Sequence, residues 1–259
     1  MLEDTLSKEY KFKSIYSFLS IISDAIEGEF DFWNFNGELF VRSALKFNKV
    51  SLLHIYVSST LYCYYSREFR KNGDLLEEDN LVWWIDLMKE YDVDLIDSKF
   101  NDEEDDFAWK WFQKNEEAFL AFFDTISNEI VHILFNNKLL LVRFNRIVRN
   151  VLIDEDGTYA GIIEWPDGSR NKNGTIKRCT IPKWVKRAVF HRDKGRCVFC
   201  NRDLSGILNI FQNSNYDHIV PLNDFGTNDP CNIQLTCEKC NKSKGAKNII
   251  AKYKYQSWW

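Results

Sequence analysis

Residues 197–245 decide the fold of the second half of this chain. They begin with Cys197-Val-Phe-Cys200 and end with Cys237-Glu-Lys-Cys240-Asn241-Lys-Ser-Lys244-Gly245, with 36 residues between the two C-x2-C pairs. Two such pairs supply four thiolates, which can complete a closed tetrahedral zinc site. Such a site stabilises a segment too short to bury a core of its own. The spacing therefore predicts a structural Zn²⁺ held by Cys197, Cys200, Cys237 and Cys240, and the alternative is a chance pairing of buried thiols.

A histidine, a neighbouring acid and two asparagines lie between and after these pairs. Asp217-His218-Ile-Val-Pro221 is followed, fourteen residues after the histidine, by Asn232, and Asn241 comes nine residues later. An unperturbed imidazole titrates near pH 6.5, so His218 is suited to take a proton from water at neutral pH. A neighbouring carboxylate can hold a cation that polarises a phosphoryl oxygen. The pattern predicts hydrolytic chemistry at this point.

Together these residues resemble the HNH endonuclease family, and the resemblance covers about residues 181–247. It implies a ββα-metal fold in which the Asp217-His218 segment is a hairpin strand and the chain from Cys237 begins or forms a helix. It also implies that His218 is the general base and that Asn232 orients the His218 ring or fixes its loop. Asp217 and Asn241 would be the protein ligands of the catalytic ion. Because both ligands donate oxygen, Mg²⁺ or Mn²⁺ is favoured there over Zn²⁺.

The charge of the chain is divided unevenly between its two parts. Residues 1–140 contain 14 Lys and Arg against 27 Asp and Glu, whereas residues 141–259 contain 20 against 11, within a net charge of -4. A basic segment is typical of a protein that binds a polyanion, because phosphate contacts release counterions. The predicted partner is nucleic acid, and the resemblance favours DNA over RNA. The predicted phosphate-binding residues are Arg192, Lys194, Arg196, Lys242 and Lys244.

Proline and glycine divide the chain near the same place. All four Pro follow residue 165 and only three of eleven Gly lie in the first 150 residues, which indicates long uninterrupted elements at the front. Apolar residues at three- and four-residue steps predict a helix ending near Gly28 and further helices near 78–91 and 105–135. Residues 50–70 suit a strand or a buried helix. The Asn72-Gly73 pair that follows favours the helix.

From residue 151 the pattern changes. VLIDEDGTYAGIIEW at 151–165 has two apolar runs around Asp156-Gly157, a hairpin signal, and residues 166–174 are polar and rich in turn formers. We therefore predict an α+β protein in three parts. A mostly helical acidic domain of unknown role spans 1–150, a β-hairpin or linker spans 151–178, and a small zinc-stabilised HNH nuclease domain spans 179–259.

Composition and hydropathy exclude several classes of protein. Aromatic residues make up 15% of the chain, which excludes a disordered protein. No apolar stretch reaches the roughly 20 residues that cross a membrane, and the start MLEDTLSKEY lacks the features of a signal peptide. We expect a cytoplasmic protein with reduced thiols. In that setting Cys63, Cys179 and Cys231 are predicted to be bystanders rather than metal ligands.

Taken together, these patterns predict a metal-dependent HNH endonuclease that hydrolyses phosphodiester bonds of nucleic acid. The resemblance implies bacterial restriction or anti-phage defence as its setting. The alternative from another class is a non-catalytic zinc-ribbon module that binds nucleic acid while its N-terminal domain recruits a partner. Residues 1–150 are the expected site of any protein partner or oligomer contact.

Overall fold

A computed structural model describes residues 10–28, 35–72, 78–96, 106–155, 157–206, 215–245 and 247. The chain divides into two compact units, one made of residues 1–34 and 56–132 and the other of residues 35–55 and 133–259. In chain order the elements are α1 (Ile15–Glu27), α2 (Gly37–Leu45), α3 (Leu52–Asn72), α4 (Glu78–Glu90), α5 (Phe107–Lys114), α6 (Glu116–Leu134), α7 (Lys138–Ile153), α8 (Lys183–Arg192), β1 (Tyr216–His218), β2 (Ile233–Leu235) and α9 (Glu238–Lys244).

The first unit is a helical assembly around aromatic side chains. Helix α1 buries residues at three- and four-residue steps, and it ends at Gly28, whose φ of 100° only glycine adopts readily. The predicted end of this helix is thereby confirmed. Phe69 of α3 stacks on Phe112 of α5 with ring centroids 4.9 Å apart, and Phe112 lies 4.4 Å from Phe119 of α6. Apolar burial of this kind is the main force holding the unit together.

The observed ends of α3, α5 and α6 test the helices predicted over residues 50–70 and 105–135. Residues 52–72 form α3, so the helix predicted for residues 50–70 is confirmed over the strand. The single helix expected over 105–135 is instead two helices that meet at Asn115. The Asn115 side chain donates to the carbonyl of Trp111 and accepts from the backbone N–H of Ile96. These bonds hold the break between α5 and α6.

The second unit contains the predicted sheet. Strands β1 and β2 pair antiparallel, with Asp217 opposite Gln234 and His218 opposite Ile233. One buried cluster joins this hairpin to α8 and to the cysteine pairs, and it comprises Ile181, Val185, Val189, Cys197, Leu204, Tyr216, Ile233, Leu235 and Cys237. A mostly helical N-terminal region together with a two-stranded sheet and a helix beside it confirms the predicted α+β class.

Residues 151–153 do not form the first strand of the hairpin expected around Asp156-Gly157, and Asp156 itself lies outside the described residues. Residues 151–153 complete helix α7, whose N-cap Asn137 accepts from Leu140 and whose buried face includes Val151. Asp154 then ends the helix in the left-handed region, with φ 45°. The described residues between 155 and 164 form turns without strand pairing. The apolar run at 151–153 continued a helical face, and a run that short does not distinguish helix from strand.

The second unit also begins earlier in the chain than the predicted boundary. It contains α2 and α7, which the sequence placed in the first domain. The segment after α7 is built into this unit rather than serving as a loose connection, since Thr175 and Ile176 are buried and Ile176 bridges to Arg170. In the parts of the chain that the structure describes, none of the helices is both long enough and apolar enough to span a membrane.

Candidate functional site

The four cysteines of the two C-x2-C pairs come together. Their sulfur atoms all lie within 4.8 Å of one another, and Cys200 Sγ is 3.7 Å from Cys237 Sγ. Zinc bound to thiolates at about 2.3 Å in a tetrahedron requires sulfur atoms about 3.8 Å apart. The cluster can therefore hold a structural zinc ion. Cys63, Cys179 and Cys231 are not part of it.

Local hydrogen bonds shape both cysteine pairs. In the first, the Cys197 N–H donates to Arg202 and the Cys197 carbonyl accepts from Asn201, which adopts a left-handed φ of 60°. In the second, Cys237 is the N-cap of α9 and its sulfur accepts from the backbone N–H of Cys240. The Val198 N–H donates to Leu235 of β2. The first pair is thereby tied to the hairpin.

The thiols of the cluster differ in acidity. Burial opposes ionisation of Cys237, but hydrogen bonds from the Cys240 N–H and from neighbouring thiols outweigh it and lower the Cys237 pKa to about 7. Burial, together with hydrogen bonds to Cys237 and Cys200, raises the pKa of Cys240. Cys237 therefore ionises more readily than Cys240, and a bound divalent cation would stabilise the thiolate form of the other cysteines.

A cleft of about 370 Å³ lies beside strand β1. Asp217 and His218 both line it, so the structure brings the two residues of the predicted catalytic pair to one cavity. The lining also includes Asn171, Ile176 and Arg178 from the segment before α8, and Pro221, Leu222, Asn223 and Gly245.

His218 lies in the wall of this cleft and is only 1% exposed. Neither ring nitrogen meets hydrogen-bond geometry with a described residue. Burial lowers the pKa of His218 to about 3, the positive charges of Arg178 and Lys244 act in the same direction, and a polar contact with Asn228 that falls short of a hydrogen bond opposes them. The ring is therefore neutral at pH 7, and the same effects make it a weaker base than a free imidazole.

Asn232 holds the loop that follows His218. Its side-chain oxygen accepts from the Val220 N–H at 2.8 Å, and its amide nitrogen donates to the carbonyls of Val220 and Thr227, each at 3.0 Å. Its own carbonyl accepts from Ile219. Of the two roles that the resemblance implied, these contacts fit the fixing of the loop and not the orientation of the ring.

Asp217 is paired with a cation of the protein itself. Its Oδ2 is 2.7 Å from Lys244 Nζ and accepts from Gln234 Nε2 at 3.2 Å. The same ammonium donates to the His218 carbonyl at 2.8 Å. Lys244 is only 3% exposed, so its predicted role as a surface phosphate contact is wrong. The helical repeat explains the error, because Lys244 lies on the inward face of α9 with Cys237, Cys240 and Asn241.

Asn241 is the predicted ligand that the structure supports least directly. It lies on α9 one turn before Lys244, is half-buried, and its backbone N–H donates to Cys237. It is not among the residues that line the cleft with Asp217. Residues three apart on a helix share a face, so Asn241 lies on the side of α9 from which Lys244 reaches Asp217.

Arg192 is wrongly predicted as a phosphate contact. It is 6% exposed and donates to both carboxylate oxygens of Asp193 at 3.0 Å and to the Ile233 carbonyl at 2.6 Å. Its guanidinium also lies over the Phe135 ring. Arg192 follows Val185 and Val189 on the buried face of α8. It is therefore a structural cation.

The other predicted phosphate contacts lie at the surface. Lys194, Arg196 and Lys242 are exposed. Arg196 is 3.8 Å from Asp203, and Lys242 forms a 2.6 Å ion pair with Glu238 one turn earlier. Exposed pairs of this kind are weak and exchange readily for other ions. Binding of nucleic acid by these three residues stays a prediction.

Three residues near the Asp217-His218 pair were not predicted from the sequence. Asn171 and Arg178 come from the segment interpreted as a hairpin or linker, and Gln234 faces Asp217 across the sheet. No motif or spacing predicts that Asn171 and Arg178 line the cleft, because folding brings them there from a distant part of the sequence. The alternation of β2 was the one available signal for Gln234, because it pairs residues across the hairpin.

Comparison with known proteins bears on the second unit alone. Neither a curated protein nor a solved structure matches the chain. One family model matches, described as HNH endonuclease, and its match begins at Cys197 rather than at the predicted residue 181. The matched residues 197–247 contain the cysteine cluster, the β1–β2 hairpin and α9, so this segment is similar to the HNH endonuclease family.

Proposed function

We propose that this protein is a metal-dependent endonuclease that hydrolyses phosphodiester bonds of DNA. The observation that carries the proposal is the placement of Asp217 and His218 side by side on β1, where both line one cleft within the HNH segment. We extend the proposal to bacterial restriction or anti-phage defence, the setting that the resemblance implies. The reduced thiols needed by the cysteine cluster fit a cytoplasmic location.

The oxygen donors of the site suit a hard divalent cation. Asp217 Oδ2 is engaged by Lys244 and Gln234, whereas Oδ1 makes no hydrogen bond with the described residues. Asp217 and the amide oxygen of Asn241 would hold Mg²⁺ or Mn²⁺, leaving further positions for water and phosphate. Such a cation, when bound, polarises the phosphoryl group and stabilises charge on the leaving oxygen.

His218 supplies the proton acceptor. Its neutral ring takes a proton from a water molecule as the water oxygen attacks phosphorus, and the 3′ oxygen leaves with the electron pair of the broken P–O bond. Asn232 keeps the loop after His218 in place through Val220 and Thr227. Lys244 fixes the backbone of His218 and the carboxylate of Asp217 together, so the pair is positioned before substrate binds.

Plasmid cleavage tests the proposal. Several supercoiled plasmids are incubated with the zinc-loaded protein and Mg²⁺ or Mn²⁺, beside His218→Ala and the shape-conserving His218→Asn. We expect nicking or cutting that either substitution slows by about 10²- to 10⁴-fold, the usual contribution of a general base. A single-stranded RNA of matched sequence tests the preference for DNA.

The matched control is His191→Ala, since His191 is an exposed histidine of the same unit. It should cut as the unsubstituted protein does. If the unsubstituted protein and His218→Ala both retard every plasmid in a gel but leave all of them intact, the non-catalytic zinc-ribbon alternative replaces the enzyme.

A further inference from the structure

The cleft has a second wall that the HNH segment does not supply. Asn171, Ile176 and Arg178 line the cavity together with Asp217 and His218, yet they precede the segment matched by the family model, which starts at residue 197. Arg178 is the only cationic residue in the described lining. A cation in this position bears on how an anionic substrate would be held.

The backbone on both sides of Arg178 is fixed by one buried amide. Asn228 donates to the Lys177 carbonyl at 2.8 Å, and its side-chain oxygen accepts from the Cys179 N–H at 3.2 Å. Asn228 is fully buried in the connection between β1 and β2. The two neighbours of Arg178 therefore hold the chain against the HNH segment while Arg178 itself is exposed in the cleft lining.

Buried residues and backbone hydrogen bonds also hold the turn that precedes Arg178. Thr175 and Ile176 are each 2% exposed, and Ile176 bridges to Arg170. The Asn171 N–H donates to the Thr175 carbonyl at 2.8 Å. Buried anchors on a paired turn reduce the motion that a binding side chain would otherwise lose when it meets its ligand.

The charge of Arg178 lies close enough to His218, the predicted catalytic residue, to lower its pKa. No described carboxylate forms an ion pair with Arg178, in contrast to Lys244, which is paired with Asp217. Of the two cations that act on the His218 ring, Arg178 has the stronger effect. A guanidinium also presents a planar set of donors that matches two phosphate oxygens at once.

We propose that Arg178 binds the phosphodiester group of the substrate in the cleft that Asp217 and His218 also line. This inference rests on the proposed function for the identity of the substrate, but binding of phosphate by Arg178 can be tested without cleavage. The segment before the HNH match would then be part of the active site.

The first measurement follows binding alone. The zinc-loaded protein without added Mg²⁺ or Mn²⁺ is titrated with inorganic phosphate, and the arginine Nε–Hε signals are followed by NMR. Arg178→Gln identifies the Arg178 signal by its disappearance. We expect that signal to shift saturably, and to do so unchanged in Lys172→Gln, which removes an exposed charge from the same segment outside the cleft lining. An equal shift of all arginine signals would overturn the inference.

The second measurement follows plasmid cleavage. We expect Arg178→Gln to lower kcat/KM by about 10²-fold, as removal of a preorganised donor does. Arg178→Lys should recover part of that loss, and Lys172→Gln should cut within about twofold of the unsubstituted protein, as a surface change away from the chemistry does. Unchanged folding of each variant is checked by its zinc content.

The outcomes separate this inference from the proposed function. If the unsubstituted protein cuts and Arg178→Gln cuts equally well, the role of Arg178 is refuted and the nuclease stands. If nothing cuts but phosphate shifts the Arg178 signal selectively, the nuclease is refuted and the phosphate site stands.

Discussion

The two units of this protein hold their interiors together in different ways. In the first, rings pack on rings, as where Phe119 lies 4.4 Å from Phe112 and 5.2 Å from Trp84. The second unit also has an apolar cluster, and it adds buried ion pairs. Asp193 is bound by Arg192 and Lys138, and Asp217 by Lys244.

This difference decides how each unit tolerates change. Apolar contacts have no fixed direction, so a core of rings accepts other apolar shapes at modest cost. A buried ion needs its particular partner, and removal of one member leaves an uncompensated charge. All of the candidate site residues belong to the second unit. Its chemistry therefore depends on interactions that are individually hard to replace.

The largest expected effect comes from the cysteine cluster. Cys237→Ser should abolish zinc binding, which provides on the order of 10 kcal/mol in small zinc domains. Hydrogen exchange should then become fast in β1, β2 and α9 while α5 and α6 keep their protection. Metal content and exchange measured by mass spectrometry check this.

Cys63→Ser in α3 is the control, because Cys63 lies outside the cluster. It should retain one zinc ion per chain. A Cys237→Ser protein that also retains a full zinc ion and unchanged protection of α9 would show that the cluster is not what holds the second unit.

An intermediate effect is expected from a buried ion pair. Arg192→Leu removes two donors to Asp193, each at 3.0 Å, and should cost about 3–5 kcal/mol in the free energy of unfolding. Urea denaturation measures it. Arg196→Leu, an exposed arginine nearby, should change stability by less than about 0.5 kcal/mol. Equal losses in the two variants would mean that burial of the charge is irrelevant.

The smallest effect is expected in the aromatic core. Phe119→Leu keeps an apolar side chain at a fully buried position and should cost about 1–2 kcal/mol, which the same denaturation experiment measures. Leu120→Ala, on the exposed side of α6, should be nearly neutral. If Phe119→Leu is as damaging as Arg192→Leu, the contrast between the two units does not hold.

Local spacing made the cysteine cluster and the Asp217-His218 pair predictable. Each C-x2-C pair is short, and Asp217 and His218 are adjacent on one strand of a hairpin. Both features therefore depend little on the rest of the chain. The burial of Lys244 and Arg192 could also have been predicted, because helical periodicity places both side chains on buried faces. The prediction that they contact phosphate rested on their positive charge and not on their helical positions.

Other features depend on contacts between distant segments. Arg178 and His218 line one cleft although 40 positions separate them in the chain, and Asp229 caps the start of α3 by accepting from the Leu52 N–H at 2.7 Å. No periodicity within either segment encodes such a meeting. The failed hairpin at 151–165 has a related cause, because only the packing of α7 showed that Val151 continues a helix.

Asn228 has a practical consequence for anyone who shortens this protein. Besides Lys177 and Cys179, it binds the carbonyl of Leu45 through its side chain and that of Ala44 through its backbone. An expression fragment that begins at Cys197 would lack all of these partners and leave the buried Asn228 amide without these hydrogen bonds. The boundaries of the recognisable motif are therefore narrower than the smallest piece that should be cloned, grafted or swapped between proteins.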